Sequence, residues 1–145
     1  YLQTLCDKCL SVTLEREISP PADPADDKSV SYAVHYPNNK GGQQAEGINI
    51  KEHVDPSLYV MEPVVEEPGL EVFDRLSSQW VKVEEVCKAG EEIIVFGGTA
   101  LQSASNGRIT AALHRVSHRP SQSPRFVFIF EQKYAEFYPP PAFDD

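Results

Sequence analysis

No stretch of the sequence approaches the roughly 18 consecutive apolar residues that a membrane-crossing helix needs, so no membrane partner is expected. Positive charge is scarce: 13 Lys and Arg stand against 22 Asp and Glu, for a formal net charge of −9. A chain this acidic presents no electrostatic footprint for a phosphate backbone, and no nucleic-acid partner is expected. Cysteine is rare and odd in number. Cys6, Cys9 and Cys87 cannot all pair within the chain, and with no signal peptide in the sequence this fits a reducing, cytoplasmic interior better than secretion. Cys6 and Cys9 have the C-x-x-C spacing of a zinc or redox motif, but no second pair completes it, so they read as ordinary helical cysteines. Long helical periodicity is missing too. Twelve prolines and eight glycines favour short elements joined by turns over a helical bundle.

What is present is enough for one domain with a real core: 145 residues, 41% hydrophobic and 24% charged. Leu2, Leu5, Cys9 and Val12 recur near helical spacing, which predicts a helix from Tyr1 to Ile18. Residues 1–19 are read as the end of an N-terminal helical region whose upstream part is expected to lie outside this sequence. Pro20, Pro21 and Pro24 stop the helix, and residues 20–29 form an acidic linker loop. Strands are then predicted at Val30–Tyr36, Ile48–His53, Pro56–Met61, Leu70–Phe73, Trp80–Val83, Glu92–Phe96, Ile109–Arg115 and Phe126–Glu131. A flexible turn follows from Pro37 to Gly42, Leu101–Gly107 reads as a loop with a Ser105-Asn106-Gly107 turn, and Ser117–Pro124 is a connection rich in Ser and Pro. Eight short strands imply an all-β barrel or double-sheet sandwich over residues 30–137, with an irregular tail at 138–145.

The chemistry concentrates at two places. His53-Val54-Asp55 puts two metal-ligand types two residues apart, and on an extended backbone such side chains share a face. A third ligand must come from elsewhere. His114 is the best candidate, because it follows Ala111-Ala112-Leu113 in a strand pattern, where a buried imidazole needs a partner. His118 and His35 are its rivals. Two histidines and one carboxylate form the facial triad that holds non-haem Fe(II) with coordination positions left open. Arg125 opens the last strand on the side of Val127 and Ile129, opposite Phe126, Phe128 and Phe130. If that side is interior, the guanidinium calls for a carboxylate partner, and its fixed fork suits a dicarboxylate.

These motifs stand in a recognisable order. Tyr36-Pro37, His53-Val54-Asp55-Pro56-Ser57-Leu58, Gly69-Leu70-Glu71-Val72, Trp80-Val81-Lys82-Val83, Gly90 before Ile93-Ile94-Val95, Leu101-Gln102, Ser105-Asn106-Gly107-Arg108, His114-Arg115-Val116 and Arg125 follow one another over roughly residues 30–132. The sequence thereby resembles the C-terminal catalytic half of the Fe(II)- and 2-oxoglutarate-dependent dioxygenases, in the branch of isopenicillin N synthase. The resemblance implies a double-stranded β-helix, or jelly roll, with a short N-terminal helix. It further implies Fe(II) on His53, Asp55 and His114, and Arg125 with Tyr36 on the distal carboxylate of 2-oxoglutarate. The implied partners are O₂ and a small-molecule substrate to be hydroxylated with release of succinate and CO₂; ascorbate fits as a reductant. An upstream N-terminal region would pack on the barrel and cover apolar outer faces.

Three positions depart from the family pattern. Val127 stands where a serine is usual, Val34 where an asparagine is usual, and Gly98 where an aspartate is usual. They leave two alternatives open beside the oxygenase: an inactive jelly-roll module that binds a ligand or protein, and an iron oxidase of the same fold that does not use 2-oxoglutarate. A cupin-like metalloprotein is disfavoured, since cupins build their sites from more histidines in a different motif.

Overall fold

Short runs of alternating apolar and polar side chains fold into eight strands in a computed structural model, which describes residues 2–37, 47–118 and 123–138. The predicted turn after Tyr36 and the C-terminal tail lie largely outside the described residues, as does most of the Ser- and Pro-rich connection. The strands are β1 (Val30–Tyr36), β2 (Gly47–His53), β3 (Tyr59–Pro63), β4 (Leu70–Asp74), β5 (Gln79–Lys82), β6 (Ile93–Gly97), β7 (His114–His118) and β8 (Arg125–Glu131). They form two four-stranded antiparallel sheets, ordered β1-β8-β3-β6 and β2-β7-β4-β5. Apart from the β4–β5 hairpin, neighbours in both sheets are non-consecutive, which gives the interleaved arrangement of jelly-roll relatives. Hydrogen-bonded pairing among the described residues stays within each sheet.

The period of two along each strand decides what faces inward. In β8, Arg125 and Val127 are buried while Phe126 and Phe128 are 60% and 47% exposed. The β1–β8 register, Tyr36↔Arg125 and Val34↔Val127, places the matching β1 residues on the same inner face. Val116 of β7 packs on Tyr36 and Val127, so the sheets meet through these side chains. The outer face of β8 is covered only in part. Phe130 is buried against Met61 and Cys6, whereas His35 merely stacks on Phe126 at 4.4 Å.

Helices flank this core, so the strict all-β class does not hold: α1 (Leu2–Leu14), α2 (Val83–Val86) and α3 (Thr99–Ala104). The short ones escaped prediction because four and six residues carry too little of a 3.6-residue period to register. Val83 begins α2 and does not continue a strand. Leu101–Ala104 belongs to α3 and not to a loop, and only Asn106 and Gly107, at φ 52° and 78°, make the expected turn. β7 starts at His114, not Ile109, because residues before it bond elsewhere. Ile109 N–H donates to Ser105 Oγ, Ala111 N–H to Gln102 Oε1 at 2.7 Å, and Ala112 N–H to the Gly97 carbonyl.

The first helix is also shorter and turned differently from the prediction. It ends at Leu14, with Glu15 at φ 54°, and Val12 is 79% exposed while Cys6, Asp7 and Leu10 are buried. Asp7 sets this orientation: its Oδ1 accepts from Tyr134 Oη at 2.6 Å and from Gln132 Nε2 at 2.8 Å. A buried carboxylate with two donors outweighs the apolar spacing that the sequence suggested. Leu10 then joins Ile18, Leu58, Ala100, Leu101 and Tyr134 in one cluster, which ties α1 and α3 to the strands. Cys6 is an ordinary helical cysteine: its Sγ lies 3.6 Å from Met61 Sδ, and burial pushes its thiol up to about 12.

Candidate metal centre and its cavity

β2 and β7 run antiparallel with His53 directly opposite His114 at their ends, so strand register alone sets the two imidazoles side by side. Their ring centroids are 4.3 Å apart. Asp55 follows His53 just past the end of β2, and its two carboxylate oxygens reach one imidazole each. Oδ1 lies 3.6 Å from His53 Nε2, and Oδ2 lies 3.5 Å from His114 Nε2. One ligand atom from each of His53, Asp55 and His114 falls within 4.8 Å of the others. This spacing suits donors around a common ion better than donors bonded to one another.

The protonation pattern fits a metal as well. His53 Nδ1 is 2.8 Å from the Lys51 carbonyl and His114 Nδ1 is 3.1 Å from the Ala112 carbonyl. A carbonyl only accepts, so each Nδ1 carries the proton and each Nε2 keeps a free lone pair toward Asp55. Burial lowers the pKa of His114, against the opposing pull of the Ala112 carbonyl and Asp55, which favours the neutral imidazole that a metal requires. The carboxylate is held from behind. Thr99 N–H donates to the Asp55 carbonyl at 2.8 Å, and a Cβ on Gly98 would stand 2.5 Å from that carbonyl and 2.4 Å from that of Ser57. Glycine at 98 is therefore what lets the start of α3 close on the turn that carries Asp55.

The triad opens into a cavity of about 80 Å³ between the sheets, room for several waters or a small organic acid. Val34, Val127, Tyr36 and Arg125 line it too, so all five sequence-predicted site residues and two of the departures line one cavity. His35 and His118 do not join it. His35 lies on the outer face against Phe126, and His118 is at the far end of β7 opposite Gly47.

Arg125 is 2% exposed and sits in a cradle that the sequence reading missed. A Cβ on Gly69 would come within 3.0 Å of Arg125 Cδ, so glycine leaves the space that the side chain fills. Nη2 donates to Glu84 Oε1 at 2.9 Å and lies 3.7 Å from Glu62 Oε1. Nε is buried without a partner, and the guanidinium carbon lies 5.7 Å from the centre of the Tyr36 ring. Burial raises the Tyr36 pKa, against the pull of Arg125, and keeps the phenol a donor. Burial pushes Glu62 up to about 7, with Arg125 opposing and Glu84 and Asp55 adding to the rise. Inward alternation of Val60 and Glu62 in β3 was the available signal for this carboxylate.

A second polar cluster stands behind Tyr32, which lines the cavity. Glu131 accepts from Tyr32 Oη and Ser57 Oγ at 2.5 Å each, with Lys133 Nζ also at 2.5 Å. Burial alone would raise Glu131, but Lys133, Ser57 and Tyr32 together hold it below the usual carboxylate range.

The model of the 2OG-Fe(II) oxygenase superfamily matches residues 23–133, most of the chain. The chain belongs to this superfamily. Solved structures agree in fold. A Shewanella oneidensis protein classed among oxygenases is similar at 24% identity and TM-score 0.71 over 92% of this chain and 53% of its own. A 2OG-Fe(II) oxygenase family protein from Caulobacter crescentus is similar at 26% identity and TM-score 0.71 over 92% and 44%. The rice dioxygenase for auxin oxidation matches at 21% identity and TM-score 0.67 over 91% and 42%. The chain thus spans about half the length of these relatives. No curated protein matches it.

In this superfamily member the residues fit Fe(II) well, by lone-pair direction and donor set. They fit a cosubstrate carboxylate through the buried, unpartnered Arg125 Nε, with the Glu62 carboxyl beside Arg125 opposing it. Among the described residues no helix is long and apolar enough to cross a membrane.

Proposed function

We propose that this chain is the catalytic core of an Fe(II)- and 2-oxoglutarate-dependent oxygenase that hydroxylates a small organic substrate. The observation that carries the reading is the convergence of His53, Asp55 and His114 at one end of a cavity whose other end is Arg125. His53, Asp55 and His114 would hold Fe(II), and Arg125 with the Tyr36 hydroxyl would hold the distal carboxylate of 2-oxoglutarate. Iron with this cosubstrate supplies O₂-driven oxidation of an unactivated C–H bond, with release of succinate and CO₂.

The chain's own share is geometry and dryness. The Lys51 and Ala112 carbonyls fix both imidazole tautomers before metal arrives, and the backbone contact at Gly98 fixes the turn that carries Asp55. Val34, Val127, Val116 and Phe96 exclude water along the cavity between its polar ends. Motif order supports placement near isopenicillin N synthase within the superfamily. The exposed Phe126, Phe128, Ile93 and Val95 support packing of an upstream region on the outer sheet.

A second reading, an iron oxidase of the same fold without 2-oxoglutarate, is favoured by the two protein carboxylates already beside Arg125. Anaerobic titration with Fe(II) and then 2-oxoglutarate separates the two through the weak metal-to-ligand charge-transfer band. The band is expected, and it should vanish in Arg125→Ala. Iron binding without any band in the unaltered protein would assign it to the second reading.

A further inference from the structure

The two carboxylates beside Arg125 are not equivalent. Glu84 is anchored: besides Nη2 it accepts from the backbone N–H groups of Gly69 at 3.2 Å and Leu70 at 3.3 Å, and it does not line the cavity. It neutralises the guanidinium from behind. Glu62 lines the cavity, and its 3.7 Å approach to Nη2 is too long for a hydrogen bond. One charge on Arg125 is thus already met by Glu84, and an ionised Glu62 leaves this end of the cavity with a net negative charge. A dianionic cosubstrate reaching for Arg125 would meet that carboxylate in the same confined space, where like charges repel strongly.

We propose that Glu62 sets cosubstrate affinity and selectivity, acting as an intramolecular competitor for Arg125 against the distal carboxylate of a 2-oxo dicarboxylic acid. This rests on the 2-oxoglutarate reading above. The dicarboxylate binds when Glu62 is neutral or turned aside, and an ionised Glu62 opposes it. Three carboxyl or phenol groups and one cation face Glu62: Glu84 from α2, Asp55 from the turn after β2, Tyr36 from β1 and Arg125 from β8. Burial places its titration at about 7, so the competition switches on across the neutral range.

The test is calorimetric binding to the Mn(II)-loaded protein, which reads affinity without turnover. Two ligands are compared: 2-oxoglutarate and 2-oxopentanoate, which has the same carbon chain with a methyl in place of the distal carboxylate. At pH 8, Glu62→Gln is expected to bind 2-oxoglutarate about tenfold more tightly than the unaltered protein, with 2-oxopentanoate unchanged and the difference closing by pH 6. Equal 2-oxoglutarate affinity in the two proteins overturns the proposal, and so does equal tightening of both ligands, which marks a wider cavity and not a lost competitor. Binding of Mn(II) but of 2-oxoglutarate by neither protein defeats the cosubstrate reading itself, and this inference with it. Mn(II) affinity reports that the variant is folded. Should Glu62→Gln lose it, Glu62→Leu carries the same comparison.

Discussion

At one end of the cavity two imidazoles donate their N–H groups to backbone carbonyls and turn bare lone pairs inward; at the other, Arg125 donates to a side-chain carboxylate that already meets its charge from behind. The first end is set by backbone geometry. Each histidine is fixed by a carbonyl two residues before it, and the pair by one rung of one ladder. The second end is made of tertiary contacts, with Arg125, Glu62 and Glu84 arriving from β8, β3 and α2. The first end needs only the register of two strands, whereas a charge cluster assembled from three elements needs all three in place.

The sharpest way to break this contrast is to delete the shared cation. Arg125→Met is expected to destabilise the protein by about 3–5 kcal/mol at pH 8, because it leaves two buried carboxylates without a counter-charge. Denaturant unfolding should show the loss shrinking at pH 5, where Glu62 is neutral. Equal losses at both pH values would mean that packing, not charge, holds that end. At the other end, His114→Ala should weaken Fe(II) or Mn(II) binding at least about a hundredfold while moving the denaturation midpoint little. A large stability loss with unchanged metal affinity would erase the distinction between the ends.

Glu62 gives a smaller and pH-dependent effect. Its folded pKa is raised from 4.5 to about 7, so the residue's contribution to stability is complete below 4.5 and is lost as pH rises through about 7. Glu62→Gln should therefore be more stable than the unaltered protein by roughly 2 kcal/mol at pH 8 and by little near pH 4.5, as read by paired denaturant titrations. A gain independent of pH would show that Glu62 titrates alike in the folded and unfolded chain, with no rise from burial. The mildest change is His35→Ala on the outer face, expected to cost about 1 kcal/mol or less through the lost stack on Phe126, with metal affinity unaltered. A loss of metal binding there would return His35 to the list of ligands.

The same contrast separates what could be read from the sequence from what could not. Alternation in Arg125-Phe126-Val127-Phe128 sorted the residues into two faces correctly while leaving open which face was interior, and H-x-D with a histidine entering a strand pointed to three side chains that do meet. Those are short-range signals. Glu62 and Glu84 were missed because the alternation that turns Glu62 inward does not name a distant arginine as its partner, and nothing local marks Glu84. The face of α1 was misjudged for the same reason: Asp7 finds Gln132 and Tyr134 more than a hundred residues away. The start of β7 was misplaced because Gln102 and Ser105 take the hydrogen bonds that an apolar run would otherwise offer to a neighbouring strand.

The β2–β7 ladder carries register shifts between Ile48 and Ile50 and again between Ile50 and His53, just before the rung that pairs His53 with His114. A ladder with such irregularities pins its own alignment weakly, and a slip of one residue would send one imidazole to the opposite face. Only the correct alignment offers both nitrogens to a single ion. Metal capture would therefore also select the strand pairing, since an ion that binds the right alignment and no other would shift the sheet toward it.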